Sequence, residues 1–148
     1  MKKPEFQMGT RWFVAAVLCT MAVYAPKAAA APCVPNATTA CLIGGRYKVT
    51  SHWKNQYSNP PGQESTLNVT KRTDATAAFW LSDANTYEYL IRINTATDNG
   101  KAWISIPMFT DVEFWVAVTD TTTDQYFEYH SPAGNRTLIY DPYTFVYP

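Results

Sequence analysis

Two histidines are the only side chains in this chain of 148 residues whose charge normally changes near neutral pH. His52 lies in an alternating segment and His130 precedes a proline turn, so both are expected at the surface. Nucleophilic catalysis needs a serine, threonine or cysteine oriented by such a base, and the sequence contains no Gly-x-Ser-x-Gly elbow. A metal site on the two histidines would need the strands to bring them together and a third ligand that no spacing suggests.

Paired carboxylates are the second chemistry to consider, because two of them can hydrolyse a glycosidic bond. Most acidic residues fall on outward strand positions or at turns, where solvated charge is expected. The candidates by residue type are Glu88, Asp111, Glu113, Asp120, Asp124 and Glu128. The sequence therefore predicts no catalytic residue, and we expect a protein that is not an enzyme.

Calcium is the one cofactor that the polar turns could accommodate, through Asp83, Asn85, Asp98 and Asn99. Aspartate and asparagine are also common in turns for a different reason, because their side chains bond the nearby backbone. We therefore expect no cofactor and no metal ligand, with a calcium loop as the alternative.

Aromatic residues, at 15% of the chain, are the most informative excess in the composition. Trp115 alternates with Phe114 and should face away from the core, and Trp80 is likewise opposite in phase to Phe79. A contiguous patch of exposed aromatic side chains usually marks a partner or ligand. The predicted binding residues are Trp80, Trp115, Tyr143 and Tyr147.

Two kinds of ligand compete for such a surface. It could bind a protein or a second copy of the chain, or its rings could stack on sugars. The aromatic C-terminal segment could instead fold over the tryptophans and bury them. The same segment is apolar enough to act as an added edge strand in a partner's sheet.

Alternation with a period of two residues dominates the elements that must position these side chains. The predicted strands are 45–54, 65–71, 75–81, 87–93, 101–106, 111–119 and 125–130, with 137–140 and 143–147 as candidate edge strands. Short strands at even spacing with no helix between them are typical of an antiparallel, immunoglobulin-like β-sandwich. We predict an all-β sandwich of about seven strands, and a small β-barrel is the alternative.

The N-terminus has the order of a secretory signal peptide. Three basic residues precede an uncharged apolar run, 12–24, and residues 28–30 are all alanine. We expect cleavage after residue 30, which leaves residues 31–148 as a single secreted or periplasmic domain. The apolar run is shorter than the roughly 20 residues that span a bilayer, so no stable membrane anchor is expected.

Removal of the signal peptide also determines which cysteines and charged side chains the exported domain retains. Cys33 and Cys41 remain after cleavage, and an even pair in an oxidising compartment predicts a disulfide that closes a small N-terminal loop. Residues 31–148 contain 8 basic and 11 acidic side chains, a net charge of about −3. Without a basic cluster, nucleic acid is not an expected partner.

Several short motifs follow one another in a fixed order. They are Leu42-x-Gly44-Gly45-Arg46-Tyr47-x-Val49 with Trp53, Phe79-Trp80-x-x-Asp83-x-Asn85, Asn99-Gly100-x-x-Trp103, Thr110-Asp111-Val112-Glu113 with Val118-Thr119-Asp120-Thr121, and Tyr129-x-x-Pro132-x-Gly134. This order resembles an uncharacterised β-domain that recurs in secreted bacterial proteins. The resemblance covers about residues 41–135. It implies a β-fold outside the cytoplasm and no catalytic residue.

One feature of that family is absent here. Its members often carry an Asp-Gly-Cys sequence just before the Asn-Gly step, whereas residues 95–98 of this chain read Thr-Ala-Thr-Asp. The expectation from sequence is therefore a secreted, non-catalytic β-domain that acts in protein–protein recognition or as a structural accessory. A carbohydrate-binding module that uses exposed Trp and Tyr is the alternative.

Overall fold

Ten strands account for the secondary structure of the described residues. The structure is a computed structural model that describes residues 31–58 and 60–147, so the predicted signal peptide lies outside it. The strands are β1 (Thr39–Leu42), β2 (Tyr47–Asn55), β3 (Gln63–Thr66), β4 (Asn68–Thr73), β5 (Thr76–Asp83), β6 (Thr86–Asn94), β7 (Lys101–Ile106), β8 (Glu113–Asp120), β9 (Gln125–Ser131) and β10 (Ile139–Val146). Of these strands, β2, β6, β7 and β8 alternate most clearly between buried and more exposed side chains. Within the described residues no helix is long and apolar enough to cross a membrane.

The first sheet, called sheet A here, is built around β2. One side of β2 pairs with β8, and β8 pairs in turn with β9. The other side of β2 pairs with β1 over residues 47–50 and with β3 over residues 52–55. The two short strands β1 and β3 therefore share one edge of sheet A, while β9 forms the other edge.

The second sheet, called sheet B, has the order β10-β7-β6-β5-β4. Its strands β4 to β7 are consecutive in the chain and form an antiparallel meander, an order that differs from the immunoglobulin arrangement. The last strand, β10, returns to pair with β7, with a bulge between Asp141 and Phe145. The edges of sheet B are consequently β10 and β4.

The two sheets pack face to face and bury the inward side chains of both. The largest fully buried side chains are Tyr47, Tyr89, Phe79, Phe114, Phe145, Leu42, Leu67, Ile91, Ile93, Ile104, Ile106 and Val49. Because the sheets remain separate and do not close on each other, the predicted β-sandwich is confirmed and the alternative barrel does not form. Phe114 faces inward, opposite to Trp115, as predicted, and Val116 and Val118 share its buried face.

The expectation of about seven strands is too low. The sequence pattern misses β1, whose four residues are all buried, and it does not separate β3, whose four residues are all exposed, from β4 within the predicted strand 65–71. Neither strand alternates, so neither carries the signal on which the prediction relied. The candidate edge strands 137–140 and 143–147 form one strand, β10, interrupted by its bulge.

A register shift in sheet B separates two tyrosines that simple alternation would place on one face. Phe79 pairs with Tyr89, and the next residue, Trp80, pairs with Tyr87, so β6 carries one extra residue at this point. Tyr89 is buried, whereas Tyr87 is 36% exposed and does not share its face. A β-bulge of this kind reverses the side-chain alternation locally.

Polar contacts join the two sheets on the side where β9 and β10 lie next to each other. The Tyr129 hydroxyl donates to Asp141 Oδ2 at 2.6 Å, and Gln125 Nε2 donates to the carbonyl of Thr144 at 2.6 Å. Burial and the hydrogen bond to Asp141 raise the pKa of the Tyr129 phenol. These contacts position the two edge strands relative to each other.

The predicted disulfide between Cys33 and Cys41 is confirmed. Cys41 lies in β1, which pairs with β2, so the bridge attaches the first described residues to the edge of sheet A. The two cysteines are eight residues apart, and such a short loop constrains the unfolded chain only modestly.

Replacing both Cys33 and Cys41 with serine is expected to lower the free energy of unfolding by about 2 kcal/mol without loss of the fold. The strand pairing of β1 and the core remain, because neither depends on the bridge. Urea denaturation followed by circular dichroism measures the change. A double variant without β-structure in native buffer would show that the disulfide is needed for folding.

Candidate functional site

A row of three stacked aromatic rings crosses the outer face of sheet A. Register places His52 of β2 and His130 of β9 on either side of Trp115 of β8. The ring centroids of His52 and Trp115 are 4.7 Å apart with an interplanar angle of 10°, and those of Trp115 and His130 are 4.6 Å apart at 8°. Glu113 Oε1 lies 3.1 Å from Nε2 of His130. Trp115 thus points outward, as its phase predicted, but both faces of its indole are covered.

The stack limits the chemistry that either histidine can perform. The indole separates the two imidazoles, so a single metal ion cannot bind both at the usual distance of about 2 Å. The described residues contain no group of three or more His, Cys, Asp or Glu side chains that could hold a metal ion. No Ser, Thr or Cys side chain in residues 31–58 and 60–147 hydrogen-bonds to either imidazole.

Trp80, the second predicted binding residue, lies on the outer face of sheet B. Its Nε1 donates to Oγ1 of Thr70 on the neighbouring strand at 3.1 Å, and the side chain is half-buried. Trp80 and Trp115 therefore lie on opposite faces of the sandwich and cannot form one patch. The C-terminal strand covers neither face, because β10 lies at the edge of sheet B beside β7.

The two predicted C-terminal residues differ from each other. Tyr143 lies in the bulge of β10 and is 74% exposed. Tyr147 follows β10, packs against the core, and holds its ring 4.5 Å from the guanidinium of Arg46. Tyr143 is accessible to a partner, whereas Tyr147 mainly supports the structure.

The acidic candidates are also distributed over separate contacts. Asp120 is fully buried against Arg46, Glu113 pairs with His130, and Glu128 accepts a hydrogen bond from Tyr126. Asp111 contacts the hydroxyl of Tyr57.

The proposed calcium ligands do not meet in one loop. Asp83 and Asn85 lie in the turn before β6, whereas Asp98 and Asn99 lie in the turn after it. Asp83 Oδ1 accepts the backbone N–H of Asn85, and Asn99 Oδ1 accepts the backbone N–H of Lys101. Each of the two turns is therefore closed by hydrogen bonds between its own side chains and its own backbone.

A shallow depression lies on the outer face of sheet B, and sequence reasoning did not find it. It has a volume of about 220 Å³, and we call it the Trp103 depression; its lining residues are Arg92, Asn94, Trp103, Ser105 and Tyr140. The Trp103 and Tyr140 rings are 6.2 Å apart at an angle of 79°. These residues come from β6, β7 and β10, so no local motif unites them. The only local signal was the outward phase of Trp103 between Ala102 and Ile104.

Exposed hydrophobic side chains concentrate at one edge of the sandwich. Of the ten large hydrophobic residues that are exposed in the described part of the chain, six lie on β9, on β10 or directly before β10. We call these six the aromatic edge; they are Tyr126, Phe127, Leu138, Tyr140, Tyr143 and Val146. Sequence reasoning identified Tyr143 in this set and missed the residues of β9.

No protein-family model, curated protein or solved structure matches this chain. The resemblance to a recurrent secreted β-domain therefore stays a prediction, and the functional interpretation depends on the geometry of the molecule itself.

Proposed function

We propose that this protein is an exported, non-catalytic recognition domain that binds another polypeptide along the open side of β9. The observation that carries the proposal is the aromatic edge: six of the ten exposed large hydrophobic residues of the described chain lie on β9, on β10 or directly before β10. Exposed hydrophobic side chains that gather on one side of a protein often mark an interaction site.

The four edges of the sandwich differ in how well they could accept a further strand. The strands β1 and β3 have four residues each, β4 carries Lys71 and Arg72 beside a register shift, and β10 contains Pro142 within its bulge. Short length, basic residues, proline and bulges are the features that protect an edge from pairing. In contrast, β9 has seven residues, a regular register and no proline. Among the described strands it pairs only with β8, so one side of its backbone is open.

The surroundings of the histidines support a non-catalytic role. Both imidazoles stack on Trp115, and the described polar partner of His130 is the Glu113 carboxylate, which is not a nucleophile oriented for attack by a base. Export is supported by the Cys33–Cys41 disulfide, because such bonds persist in oxidising compartments outside the cytoplasm.

Replacing Tyr126 with lysine is expected to weaken self-association of the purified protein about tenfold or more. A second copy of the chain is the partner that purified protein can test directly. Lysine on an edge strand opposes further pairing, and a twofold interface would contain the change twice. Sedimentation equilibrium over a range of protein concentrations measures the dissociation constant.

The matched control is Tyr57→Lys, since Tyr57 is also largely exposed but lies in the loop after β2. It should leave self-association unchanged. A wild-type protein that remains monomeric at every concentration, or association that Tyr126→Lys leaves intact, would contradict pairing through β9.

A second candidate function, carbohydrate binding, is favoured by the Trp103 depression. It combines two aromatic rings with several polar side chains in a concave site, the usual composition of small-ligand sites. The predicted platform, Trp115, supports this function less well, because imidazoles already occupy both faces of its ring.

A further inference from the structure

We propose that the Trp103 depression binds one uronic acid unit of an acidic polysaccharide, with Arg92 as the group that recognises the sugar carboxylate. This inference rests on the carbohydrate-binding candidate above; it shares Tyr140 with the aromatic edge but needs no strand pairing along β9.

The sheet places the lining side chains on one face and close together. Arg92, Ser105 and Tyr140 are register partners, so they form a single row across β6, β7 and β10. Asn94 and Trp103 are paired two residues further along β6 and β7. Directly paired residues have Cβ atoms about 4.5–5.5 Å apart, so a ligand of one sugar ring can touch both rows at once.

The two rings form a rigid corner. Trp103 Nε1 donates to Asn99 Oδ1 at 3.0 Å, and Asn99 Nδ2 donates to the carbonyl of Pro142 at 3.1 Å. These bonds link the indole to the β6–β7 turn and to β10. Because Tyr140 lies nearly perpendicular to Trp103, one ring can pack on the face of a sugar while the other closes its side.

The polar groups of the depression are donors without partners. Among the described residues, the Arg92 guanidinium makes no ion pair or hydrogen bond, and neither do the hydroxyls of Ser105 and Tyr140. Asn94 uses its Oδ1 to accept the backbone N–H of Ala96, which leaves its amide donors available. No acidic side chain lines the depression. A cationic donor set of this kind is complementary to an anion.

The shape of the donor set selects the anion. A guanidinium presents a planar fork that matches a carboxylate through two parallel hydrogen bonds. The volume of about 220 Å³ is below the range of about 300–1,000 Å³ typical of sites for drug-sized ligands, so one ring enters rather than a long ligand. A carboxylate on a sugar ring satisfies both the fork and the aromatic corner. A nucleic acid would need several phosphate contacts, and a single arginine supplies only one.

The test is isothermal titration calorimetry of the purified protein with oligosaccharides from polygalacturonate, alginate and a glucuronate polymer. We expect at least one of them to bind, and its methyl ester to bind about tenfold or more weakly. Arg92→Gln should weaken binding of the acid to the level of the ester without weakening the ester further. Tyr140→Ala should weaken both, because it removes one wall of the site.

The control for total charge is Arg136→Gln, an equally cationic and exposed residue in the loop before β10, which should leave the affinity unchanged. Tyr126→Lys should also leave it unchanged, which separates this site from the β9 surface. Equal binding of acid and ester would overturn the role of Arg92 while preserving carbohydrate binding. Binding of none of the three oligosaccharides, equal competition by acetate, or binding that survives both Arg92→Gln and Tyr140→Ala would overturn the site.

Discussion

Replacing Arg46 with alanine is expected to lower the free energy of unfolding by about 3–5 kcal/mol. Its guanidinium binds both oxygens of Asp120, with Nε 3.1 Å from each and Nη2 2.7 Å from Oδ2. The Asp120 side chain is fully buried, so removing Arg46 would leave a charge in the interior without its counterion. The cost of that unpaired charge exceeds the value of an ordinary surface ion pair.

Arg46 also joins the two sheets. Its Nη2 donates to the carbonyl of Val146 at 2.9 Å, and its guanidinium lies 4.5 Å from the centre of the Tyr147 ring. Both partners belong to the end of sheet B, whereas Asp120 belongs to sheet A. Loss of the Arg46 side chain should therefore weaken the attachment of β10 and also leave the Asp120 carboxylate without its counterion.

Urea denaturation monitored by tryptophan fluorescence measures the effect of Arg46→Ala. The control is Lys71→Ala, which removes an exposed ion pair with Asp74 and should leave the unfolding midpoint unchanged. The double variant Arg46→Met with Asp120→Leu should be more stable than Arg46→Ala, because no unpaired charge remains inside. Equal effects of Arg46→Ala and Lys71→Ala would contradict the importance of the buried pair.

The same ion pair should make stability depend on acid pH. Burial acts to raise the pKa of Asp120, but hydrogen bonds from Arg46 and Thr122 outweigh it and lower that pKa below its ordinary value. A lowered folded-state pKa stabilises the native protein above the unfolded pKa of about 3.9, and the stabilisation is lost as the pH falls through the folded pKa. Asp120→Asn should therefore reduce stability at neutral pH and flatten its decline below about pH 4. If the stability of Asp120→Asn fell as steeply with decreasing pH as that of the wild type, Asp120 would be excluded as the source of the acid dependence.

Replacing Phe114 with alanine is expected to lower the free energy of unfolding by about 3–5 kcal/mol. Phe114 is the sheet A member of a stack in which Tyr89 lies between it and Phe79 of sheet B. The ring centroids are 4.5 Å apart for Phe114 and Tyr89, and 4.9 Å apart for Tyr89 and Phe79. With Phe114 only 1% exposed, its removal leaves a cavity between the sheets and breaks the stack.

Thermal and urea unfolding measure this loss, and Phe109→Ala is the control. Phe109 is 54% exposed and outside the core, so the same truncation should cost no more than about 1 kcal/mol. Phe114→Leu should recover part of the stability, since it refills part of the cavity. If Phe114→Ala lowered the free energy of unfolding no more than Phe109→Ala does, the importance of the stack for stability would be refuted.

The two proposed surfaces lie on one scaffold and share a single residue, Tyr140. The open side of β9 offers backbone groups and hydrophobic side chains to a polypeptide, while the Trp103 depression offers rings and free donors to a sugar acid. Both involve β10 or its neighbours, and β10 is held in place by Phe145 in the core. Deleting the C-terminal segment would remove part of the core together with the surface, so point substitutions are the informative tests of either surface.

Much of the architecture follows from local sequence. Alternation in segments such as 113–120 determines which side chains face the interior, because neighbouring residues of a strand point to opposite faces. That rule correctly placed Phe114 inside and Trp115 outside. The Cys33–Cys41 bond likewise needed no tertiary information, since an even pair of cysteines in an exported chain predicts a disulfide.

The candidate sites depend instead on which strands become neighbours, and no local pattern encodes that. Trp115 meets His52 and His130 only because β2 and β9 pair on either side of β8. Trp103 meets Tyr140 only because β10 returns to pair with β7, and Arg46 meets Asp120 from 74 residues away. Strand register is set by the packing of the whole sandwich, so alternation determined the direction of each side chain while only the tertiary structure decided its companions.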